Sequence, residues 1–368
     1  MTNFRRILII KPSSLGDVVH ALPTLAALRQ TFPHAHIAWL VKRQWAGLLE
    51  RVEGLDAVWP VESGVTGWLS AIPRLRAAGF DLAVDLQGLL RSGAMARLAG
   101  CPTRIGFANA REGSPFCYTH RVSVATTEMH AVDRYLLVAA ACGASVRGAP
   151  EFRLRPLPAD RQEVAVLLGR HGLPAREPWI GVSVAARWPT KRWPPEFFAT
   201  TMDHLQEKGL GRVVLIGGPD DRAAAQAVKG LMRTVPMDLT GATAPGLLPA
   251  LLESAALLLT NDSGPMHVAA AMGTPVVALF GPTSPTRTGP YGNGHRVLRS
   301  GVPCSPCFSR TCRNTVYLEC LKTISPDKVI EAVRDQLKRD NGVKGLHGVA
   351  DISLPTSTPV SRYPVAPK

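Results

Sequence analysis

The sequence predicts an α/β protein with two doubly wound domains, each a parallel sheet with helices on both faces. Three observations lead to this fold class. Short β-branched or aliphatic runs alternate with longer helical patterns, which is typical of parallel strands joined by helices. The alternation is interrupted once, around residue 150, and then restarts. The 368 residues, 46% of them hydrophobic, are enough for two buried cores.

The first half of the chain, residues 1–155, is predicted to form the N-terminal domain. Its predicted strands and helices are, in order, RILIIK, LPTLAALRQTF, HIAWLV, RQWAGLLERV, AVWPV, WLSAIPRLRAAG and DLAVDL. A segment rich in proline, glycine and charge, GAPEFRLRPLPADRQ, then breaks the rhythm. We therefore expect a linker at residues 156–176, with a helix near residues 161–171.

The second half, residues 177–340, repeats the same pattern. Its predicted strands and helices are WIGVSV, PPEFFATTMDHLQEKG, RVVLIGG, PDDRAAAQAVKGLMR, ALLLTN, GPMHVAAAMG and PVVALFG. Two such domains create a cleft between the carboxyl ends of their strands, where open α/β sheets bind ligands. Residues 341–368 contain four prolines near the end and little periodicity, so we expect a disordered tail.

Composition narrows the class of partner. Lys and Arg outnumber Asp and Glu by 42 to 28, a formal net charge of +14, which favours anionic partners, although a solvated basic surface explains the same excess. Nucleic acid is not expected, because the basic residues form no tail or stripe. No eighteen apolar residues run together and the N-terminus lacks a signal-peptide pattern, so a soluble, cytoplasmic protein is expected. Without a G-x-G-x-x-G turn, a hydride-transferring enzyme is disfavoured.

The stretch TNDSGPMHVAAAMG predicts a strand, a tight turn and a helix facing the cleft. Asp262 and Ser263 can cap the helix, and Gly264 lets the backbone approach a ligand. Free amides at a helix N-terminus suit a diphosphate, and His267, one turn further on, could reach it. An ordinary cap before a core helix is the alternative explanation of the same residues.

Two other turns point toward the same cleft. LIGGPDDRAAA places Asp221 in the first turn of a helix, where an acid can hold ribose hydroxyls or simply match the helix dipole. In AARWPTKRWPPEFF, Lys191 follows the first strand of the second domain. It can neutralise charge on a departing diphosphate, or else lie on the surface as an ordinary solvated cation.

The opening stretch KPSSLGDVVHALP carries a carboxylate directly after a glycine. Pro23 is disfavoured well inside a helix, so the regular helix is predicted to begin near His20, leaving Ser13 to Asp17 as a loop. Asp17 would then face the cleft from the first domain. A helix-capping role for Asp17 is the alternative.

Four of the seven cysteines lie in CSPCFSRTCRNTVYLEC, at Cys304, Cys307, Cys312 and Cys320. This spacing can support a metal ion or an iron–sulfur cluster, but it matches no standard zinc spacing. Reduced structural thiols are the preferred interpretation, so no metal is predicted.

The motifs IKPSSLGDVVHALP, VDLQGLLRSG, GFANAREGSPFCY, KRWPPEFF and TNDSGPMHVAAAMGTPVVALFGPTSP together resemble the bacterial lipopolysaccharide heptosyltransferases, in order and nearly to Val333. In its N-terminal half the chain is most similar to heptosyltransferase I. The resemblance implies a GT-B fold, with two Rossmann-like domains around a cleft, the acceptor in the N-terminal half and the donor in the C-terminal half.

The resemblance also implies an activity. Members transfer L-glycero-D-manno-heptose from ADP-heptose to the lipopolysaccharide inner core, inverting the anomeric centre without a metal or other cofactor. An anionic, lipid-linked acceptor would bring such an enzyme to the cytoplasmic face of the inner membrane as a peripheral protein. Another nucleotide sugar or another acceptor, either a different core position or a protein, remains an alternative. A metal-binding protein built around the cysteines, with a degenerate cleft, is an alternative of a different class.

By the same resemblance, individual residues acquire roles. Asp17 matches the catalytic base, and Lys191 matches the lysine that contacts the donor diphosphate. The implied donor-binding positions are Asp221, Thr243, Asp262, Ser263, Gly264 and His267. Arg187 joins them at a position where heptosyltransferase I has a threonine. The implied acceptor-binding residues are Ser14, Gly16 and Arg111.

Overall fold

The computed structural model describes residues 3–174 and 177–344. Six strands form the sheet of the N-terminal domain: β1 (Arg6–Ile10), β2 (His36–Lys42), β3 (Ala57–Val61), β4 (Leu82–Asp85), β5 (Thr103–Phe107) and β6 (His120–Val122). All neighbouring strands are parallel, in the order β3-β2-β1-β4-β5-β6. The chain therefore winds outward from β1 in one direction and then from β4 in the other, which is a doubly wound sheet.

Helices connect these strands; the first, sixth and seventh of them were not predicted, and one predicted helix is divided into two. They are α1 (Leu15–His20), α2 (Leu22–Thr31), α3 (Arg43–Leu49), α4 (Gly64–Leu69), α5 (Ile72–Ala77), α6 (Leu90–Leu98) and α7 (Ala131–Ala141). The segment WLSAIPRLRAAG, predicted as one helix, spans the end of α4 and all of α5. Pro73 accounts for the break, because proline fits the first turn of a helix and disrupts its interior.

The C-terminal domain repeats this winding. Its strands are β7 (Trp179–Ser183), β8 (Arg212–Leu215), β9 (Met237–Asp238), β10 (Leu257–Asn261), β11 (Val276–Phe280) and β12 (Arg296–Arg299). They are parallel, in the order β12-β11-β10-β7-β8-β9. Counted from β7, this is the same strand order as in the first sheet. The predicted fold class, two Rossmann-like doubly wound domains, is confirmed.

Helices of the second half cover this sheet. They are α8 (Pro158–Arg170), α9 (Pro195–Glu207), α10 (Arg222–Lys229), α11 (Leu248–Ser254), α12 (Gly264–Met272), α13 (Pro285–Thr288), α14 (Glu319–Lys322) and α15 (Pro326–Lys344). Helix α15 extends past residue 341, the predicted start of a tail, and residues 345–368 lie outside the described part of the chain. Over the described ranges, no helix combines the length and apolarity needed to cross a bilayer.

The central strands are buried on both faces, which explains their uninterrupted apolar sequences. In β1, Ile7 to Ile10 are fully buried, as expected for a parallel strand covered by helices on each side. One apolar cluster is continuous between the domains and includes Leu15 of α1 and Met266 of α12. The two domains therefore pack directly against each other at the ends of α1 and α12.

The predicted linker is a packed element. Helix α8 occupies most of it and contributes the buried Val164 to the apolar cluster. Asp160 accepts two hydrogen bonds from the Arg51 guanidinium of the N-terminal domain, at 2.7 and 3.0 Å. The next residue, Arg161, pairs with Glu253 of the C-terminal domain. Helix α8 thus bridges the two domains.

Candidate active site between the domains

In each sheet, the loops that follow the two central strands lie together at the carboxyl ends of those strands. In the N-terminal sheet the winding reverses between β1 and β4, and in the C-terminal sheet between β7 and β10. Ligands of doubly wound sheets bind where the carboxyl ends of such strands diverge. The chain leaves β1 toward Asp17, leaves β7 toward Lys191, and leaves β10 toward Asp262. Three of the predicted site residues therefore follow these central strands.

Asp17 lies in a helix, so the predicted loop from Ser13 to Asp17 is confirmed at Ser13 and Ser14 and wrong from Leu15 onward. Helix α1 begins at Leu15, and Asp17 accepts hydrogen bonds from the Ser14 amide at 3.0 Å and from its hydroxyl at 2.8 Å. Pro23 does not delay the helix, because α1 ends at His20 and Pro23 lies in the first turn of α2. Asp17 is thus a capping residue, yet 41% of its side chain remains exposed.

A buried cation faces the other oxygen of Asp17. The Lys11 Nζ atom lies 3.8 Å from Asp17 Oδ1, and the Tyr135 hydroxyl donates to the same oxygen at 3.4 Å. Burial raises the pKa of Asp17, but the Lys11 ammonium and the Ser14 hydrogen bonds lower it by more. The pKa of Asp17 therefore lies below its usual range, and the group is a carboxylate at neutral pH.

The sequence motifs did not identify Lys11 or Tyr135 as site residues. Lys11 is only 3% exposed, and its ammonium lies 5.1 Å from the centre of the Tyr135 ring. Burial lowers the pKa of Lys11, but Asp17, Tyr135 and Asp85 raise it by more, so the ammonium stays charged. The sequence did contain a signal for Lys11, because it directly follows the apolar residues of β1. A lysine that is buried at such a position is rarely without a charged partner.

Lys191 and Asp262 form a close ion pair on the opposite domain. The Lys191 Nζ atom lies 2.6 Å from Asp262 Oδ2, and the Thr283 hydroxyl donates to the same oxygen at 2.6 Å. Both side chains are largely buried, with 17% and 5% exposed. The Nζ atom also lies 4.7 Å from the centre of the Trp188 ring. These contacts hold a positive charge beside the start of α12.

The N-terminus of α12 meets the first domain. Ser263 is the N-cap, and its hydroxyl shares a 2.9 Å hydrogen bond with Thr260. A Cβ atom on Gly264 would stand 2.8 Å from a methyl group of Leu15, so only glycine fits there without a shift. The start of α12 therefore lies directly opposite the start of α1.

His267 lies where the two domains meet. Its ring packs against Gly16, and its electrostatic neighbours include Asp262 and Asp17. Burial lowers the pKa of His267 to about 4, although both carboxylates act in the opposite direction. The imidazole is therefore neutral near pH 7, and it can exchange hydrogen bonds without adding a charge.

Two further histidines, which the sequence reasoning missed, extend this contact. The His20 ring centre lies 4.1 Å from that of His267 and 5.1 Å from that of His130. His130 accepts from the Val132 amide through Nδ1 and donates from Nε2 to the Gly289 carbonyl. Burial lowers the pKa of His20 well below its usual value, and neither of its ring nitrogens has a hydrogen-bond partner within the described ranges. The imidazoles thus line the interface between the domains.

The other predicted site residues lie outside this cluster. Asp221 accepts a 2.8 Å hydrogen bond from the Gly218 amide and so caps its own turn. The loop that carries Thr243 is tied to this turn by the Gly241 amide, which donates to Gly217 at 2.8 Å. Asp221 and Thr243 are therefore on adjoining loops, as two parts of one nucleoside site would be.

The two predicted arginines are exposed. Arg187 follows β7 in the same loop as Lys191, and Arg111 lies in the loop between β5 and β6. Neither side chain has a hydrogen bond or ion pair in the part of the chain that the structure describes. Their predicted ligand contacts therefore stay predictions.

The four clustered cysteines come together around Cys320. Burial raises the pKa of this thiol to about 11, and Cys304, Cys307 and Cys312 raise it as well. All of them are free thiols. No set of three or more His, Cys, Asp or Glu side chains is arranged to hold a metal ion within residues 3–174 and 177–344. Cys320 is buried in the apolar core of the C-terminal domain, whereas Cys304 and Cys307 are exposed.

The starts of α1 and α12 are in direct contact. Leu15 and the His267 ring occupy the space between the starts of α1 and α12. A cavity of about 440 Å³ lies elsewhere, between the end of β12 and the start of α15, and contains none of the predicted site residues.

Comparison with known proteins matches the sequence of this chain to a family. Residues 68–318 match the family described as "Glycosyltransferase family 9 (heptosyltransferase)". The chain belongs to glycosyltransferase family 9. It is therefore a glycosyltransferase, as its motifs predicted, and the two facing doubly wound domains are the GT-B fold.

Individual family 9 members resemble the chain over most of its length. It is 27% identical to lipopolysaccharide heptosyltransferase 1 of Pseudomonas aeruginosa, covering 83% of this chain and 87% of the relative. It is 30% identical to lipopolysaccharide heptosyltransferase 2 of Escherichia coli, covering 80% and 88%. Among solved structures, a family 9 transferase from Veillonella parvula has a TM-score of 0.80 at 28% identity, covering 91% and 97%. The ADP-heptose heptosyltransferase II of E. coli has a TM-score of 0.76 at 26% identity, covering 91% and 99%.

Proposed function

We propose that this family 9 enzyme transfers L-glycero-D-manno-heptose from ADP-heptose to the inner core of lipopolysaccharide, with inversion at the anomeric carbon. The observation that carries the proposal is the contact at Gly16 and His267 between α1, which holds Asp17, and α12, which follows the Lys191–Asp262 pair. A base from one domain then faces an anion site of the other. Relatives named as lipopolysaccharide heptosyltransferases support the choice of sugar and acceptor.

Asp17 is the proposed general base. Its carboxylate takes the proton from an acceptor hydroxyl while that oxygen forms a bond to the anomeric carbon of the donor. Lys11 and Ser14 keep the group ionised, and its partial exposure leaves it accessible to the acceptor. A single attack from the face opposite the diphosphate inverts the configuration.

Lys191 and the start of α12 are the proposed site of the leaving diphosphate. As the bond from the anomeric carbon to the diphosphate oxygen breaks, negative charge develops on ADP. The Lys191 ammonium and the amides of Ser263 and Gly264 can stabilise this charge. Asp262 holds the ammonium in place beforehand. These groups supply the positive charge, so the proposed reaction includes no metal ion.

Asp221 and Thr243 are the proposed contacts to the nucleoside, because their adjoining loops lie beyond β8 and β9 of the donor domain. Ser14, Gly16 and Arg111 are the proposed acceptor contacts on the first domain. The acceptor is anionic and lipid-linked. A net charge of +14 supports a peripheral position on the cytoplasmic face of the inner membrane.

A donor screen tests the proposal. ADP-heptose should raise the melting temperature of the purified protein more than UDP- or GDP-linked sugars, because a ligand that binds only the native state stabilises it. Incubation with ADP-heptose and heptose-free lipopolysaccharide should then yield a product with the opposite anomeric configuration. A stronger shift with another nucleotide sugar, or retention of configuration, would refute the proposed donor or mechanism.

A further inference from the structure

The cysteine segment, residues 304–320, packs against the loop that carries Lys191. The Thr190 hydroxyl donates a 2.8 Å hydrogen bond to the carbonyl of Ser309. The next residue, Arg310, places its guanidinium carbon 5.2 Å from the centre of the Trp188 ring. Lys191 Nζ lies 4.7 Å from the centre of the same ring. One tryptophan thus positions two cations, one from each segment.

The two cations must be close together. Since their distances to one ring centre are 4.7 and 5.2 Å, their separation cannot exceed about 10 Å, whichever faces they occupy. The outer oxygens at the two ends of a diphosphate lie far enough apart to bridge much of this distance. A separation within this bound allows one bound diphosphate to contact both Lys191 and Arg310 where it reaches them past the edge of the Trp188 ring.

Lys191 and Arg310 differ in whether a carboxylate neutralises their charge. Lys191 is paired with Asp262, whereas Arg310 has no carboxylate within 4 Å among the residues that the structure describes. The surrounding segment is also basic: Arg287, Arg296, Arg299, Arg310, Arg313 and Lys322 stand against the single acid Glu319 between residues 281 and 322. Within this segment, Arg310 is the residue whose guanidinium contacts the same Trp188 ring as the Lys191 ammonium.

We propose that Arg310 is a donor-binding residue that extends from the cysteine segment and holds the diphosphate of the nucleotide sugar together with Lys191. This inference rests on the proposed function. Guanidinium groups suit the role, because they donate two parallel hydrogen bonds to phosphate oxygens. Stacking on Trp188 limits the motion of the side chain before the donor binds.

The cysteines lie in the same segment as Arg310 and contribute to its local structure. The thiols of Cys304, Cys307 and Cys312 gather near the buried Cys320, and Cys312 accepts a 3.4 Å hydrogen bond from the Leu318 amide. These contacts lie on either side of Arg310 along the chain. The hydrogen bond between Leu318 and Cys312 therefore holds the chain on the C-terminal side of Arg310.

Steady-state kinetics with varied ADP-heptose test the inference. Arg310→Gln should raise the donor KM roughly 10- to 100-fold, the weight of hydrogen bonds to a charged group. The KM for the acceptor should stay unchanged. Arg310→Lys, which keeps the charge but not the paired hydrogen bonds, should recover part of the loss. Arg313→Gln is the matched control, because Arg313 is an exposed arginine of the same segment.

The outcomes separate the inference from the proposed function. If Arg310→Gln behaves like Arg313→Gln while Lys191→Ala loses donor affinity, the inference is wrong and the proposed function stands. If Lys191→Ala also leaves donor kinetics unchanged, the proposed donor site fails and the role of Arg310 fails with it. An equal loss in Arg310→Gln and Arg313→Gln would indicate a general charge effect and overturn the specific role.

Discussion

His267 lies so close to Gly16 that a Cβ atom at position 16 would stand 2.8 Å from its Nε2 atom. The two residues belong to different domains, so Gly16→Ala should hold the domains apart at the site. Overpacking of this kind costs roughly 1–3 kcal/mol, and we expect kcat/KM to fall by about 10- to 100-fold. Steady-state kinetics and a melting curve of the same preparation would measure the effect.

Gly169→Ala is the matched control, because Gly169 lies in α8 and has nothing within 4 Å of the added atom. It should leave activity unchanged and stabilise the protein slightly, since alanine favours a helix. Equal activity in the two variants would show that the Gly16–His267 contact is not part of the active conformation.

Asp17→Asn removes the proposed base but keeps the size of the side chain. Turnover should fall roughly 10²- to 10⁴-fold, the usual weight of general-base catalysis, while affinity for the ADP-sugar changes little. Turnover assays and calorimetric titration with the donor provide the two readouts. Asp220→Asn, an exposed aspartate in the turn before α10, should behave like the parent. Near-normal turnover of Asp17→Asn would exclude Asp17 as the base.

Lys11→Gln should shift the pH dependence of the reaction. The Lys11 ammonium lowers the pKa of Asp17, so its removal should raise that pKa. A base acts when it is deprotonated, and activity is lost as the pH falls through its pKa. The acid limb of the kcat/KM profile should therefore move to higher pH. Lys11→Arg should move it less, and an unchanged acid limb in Lys11→Gln would contradict this coupling.

Lys191→Ala should weaken use of the donor. Without the ammonium, the buried Asp262 carboxylate faces the diphosphate unpaired, so attraction is replaced by repulsion. We expect the donor KM to rise at least about 10-fold and kcat to fall as well, because the charge on the leaving group is less stabilised. Lys208→Ala, on an exposed turn after α9, serves as the control. If Lys191→Ala had the same donor kinetics as the control, Lys191 would not be a donor-binding residue.

Asp160→Asn should destabilise the contact between α8 and the first domain. It weakens two hydrogen bonds from Arg51, and we expect a loss of about 1–3 kcal/mol in the free energy of unfolding by urea. Burial raises the pKa of Asp160, but Arg51 and the Leu157 amide lower it by more. Its contribution is therefore full above the unfolded pKa of about 3.9 and is lost as the pH falls through the folded value.

Glu163→Gln, an exposed substitution on the same helix, should leave stability within about 0.5 kcal/mol of the parent. The difference between the Asp160 variant and the parent should shrink toward acid pH. A difference that stays constant from neutral to acid pH would show that the ionised carboxylate is not its source.

The central strands and most helices were predictable, because their apolar periodicity is a local property of the sequence. RILIIK and WIGVSV are buried on both faces and show no polar interruption. Strands β5, β6, β9 and β12 were not predicted, because they are short or partly exposed, as in the RVLR of β12. Pro23 misled the placement of α1, since it marks the start of a second helix rather than of the first.

By itself the sequence determined two doubly wound domains and the short motifs at the ends of their central strands. Asp17, Lys191 and the start of α12 each follow from such a motif. Only the tertiary structure decided that Lys11 and Tyr135 face Asp17. It also placed the rings of His20 and His130 next to His267, and Arg310 on the Trp188 ring that Lys191 contacts. These relations join segments far apart in the chain, and they depend on how two sheets wind and where the domains meet, which no local pattern encodes.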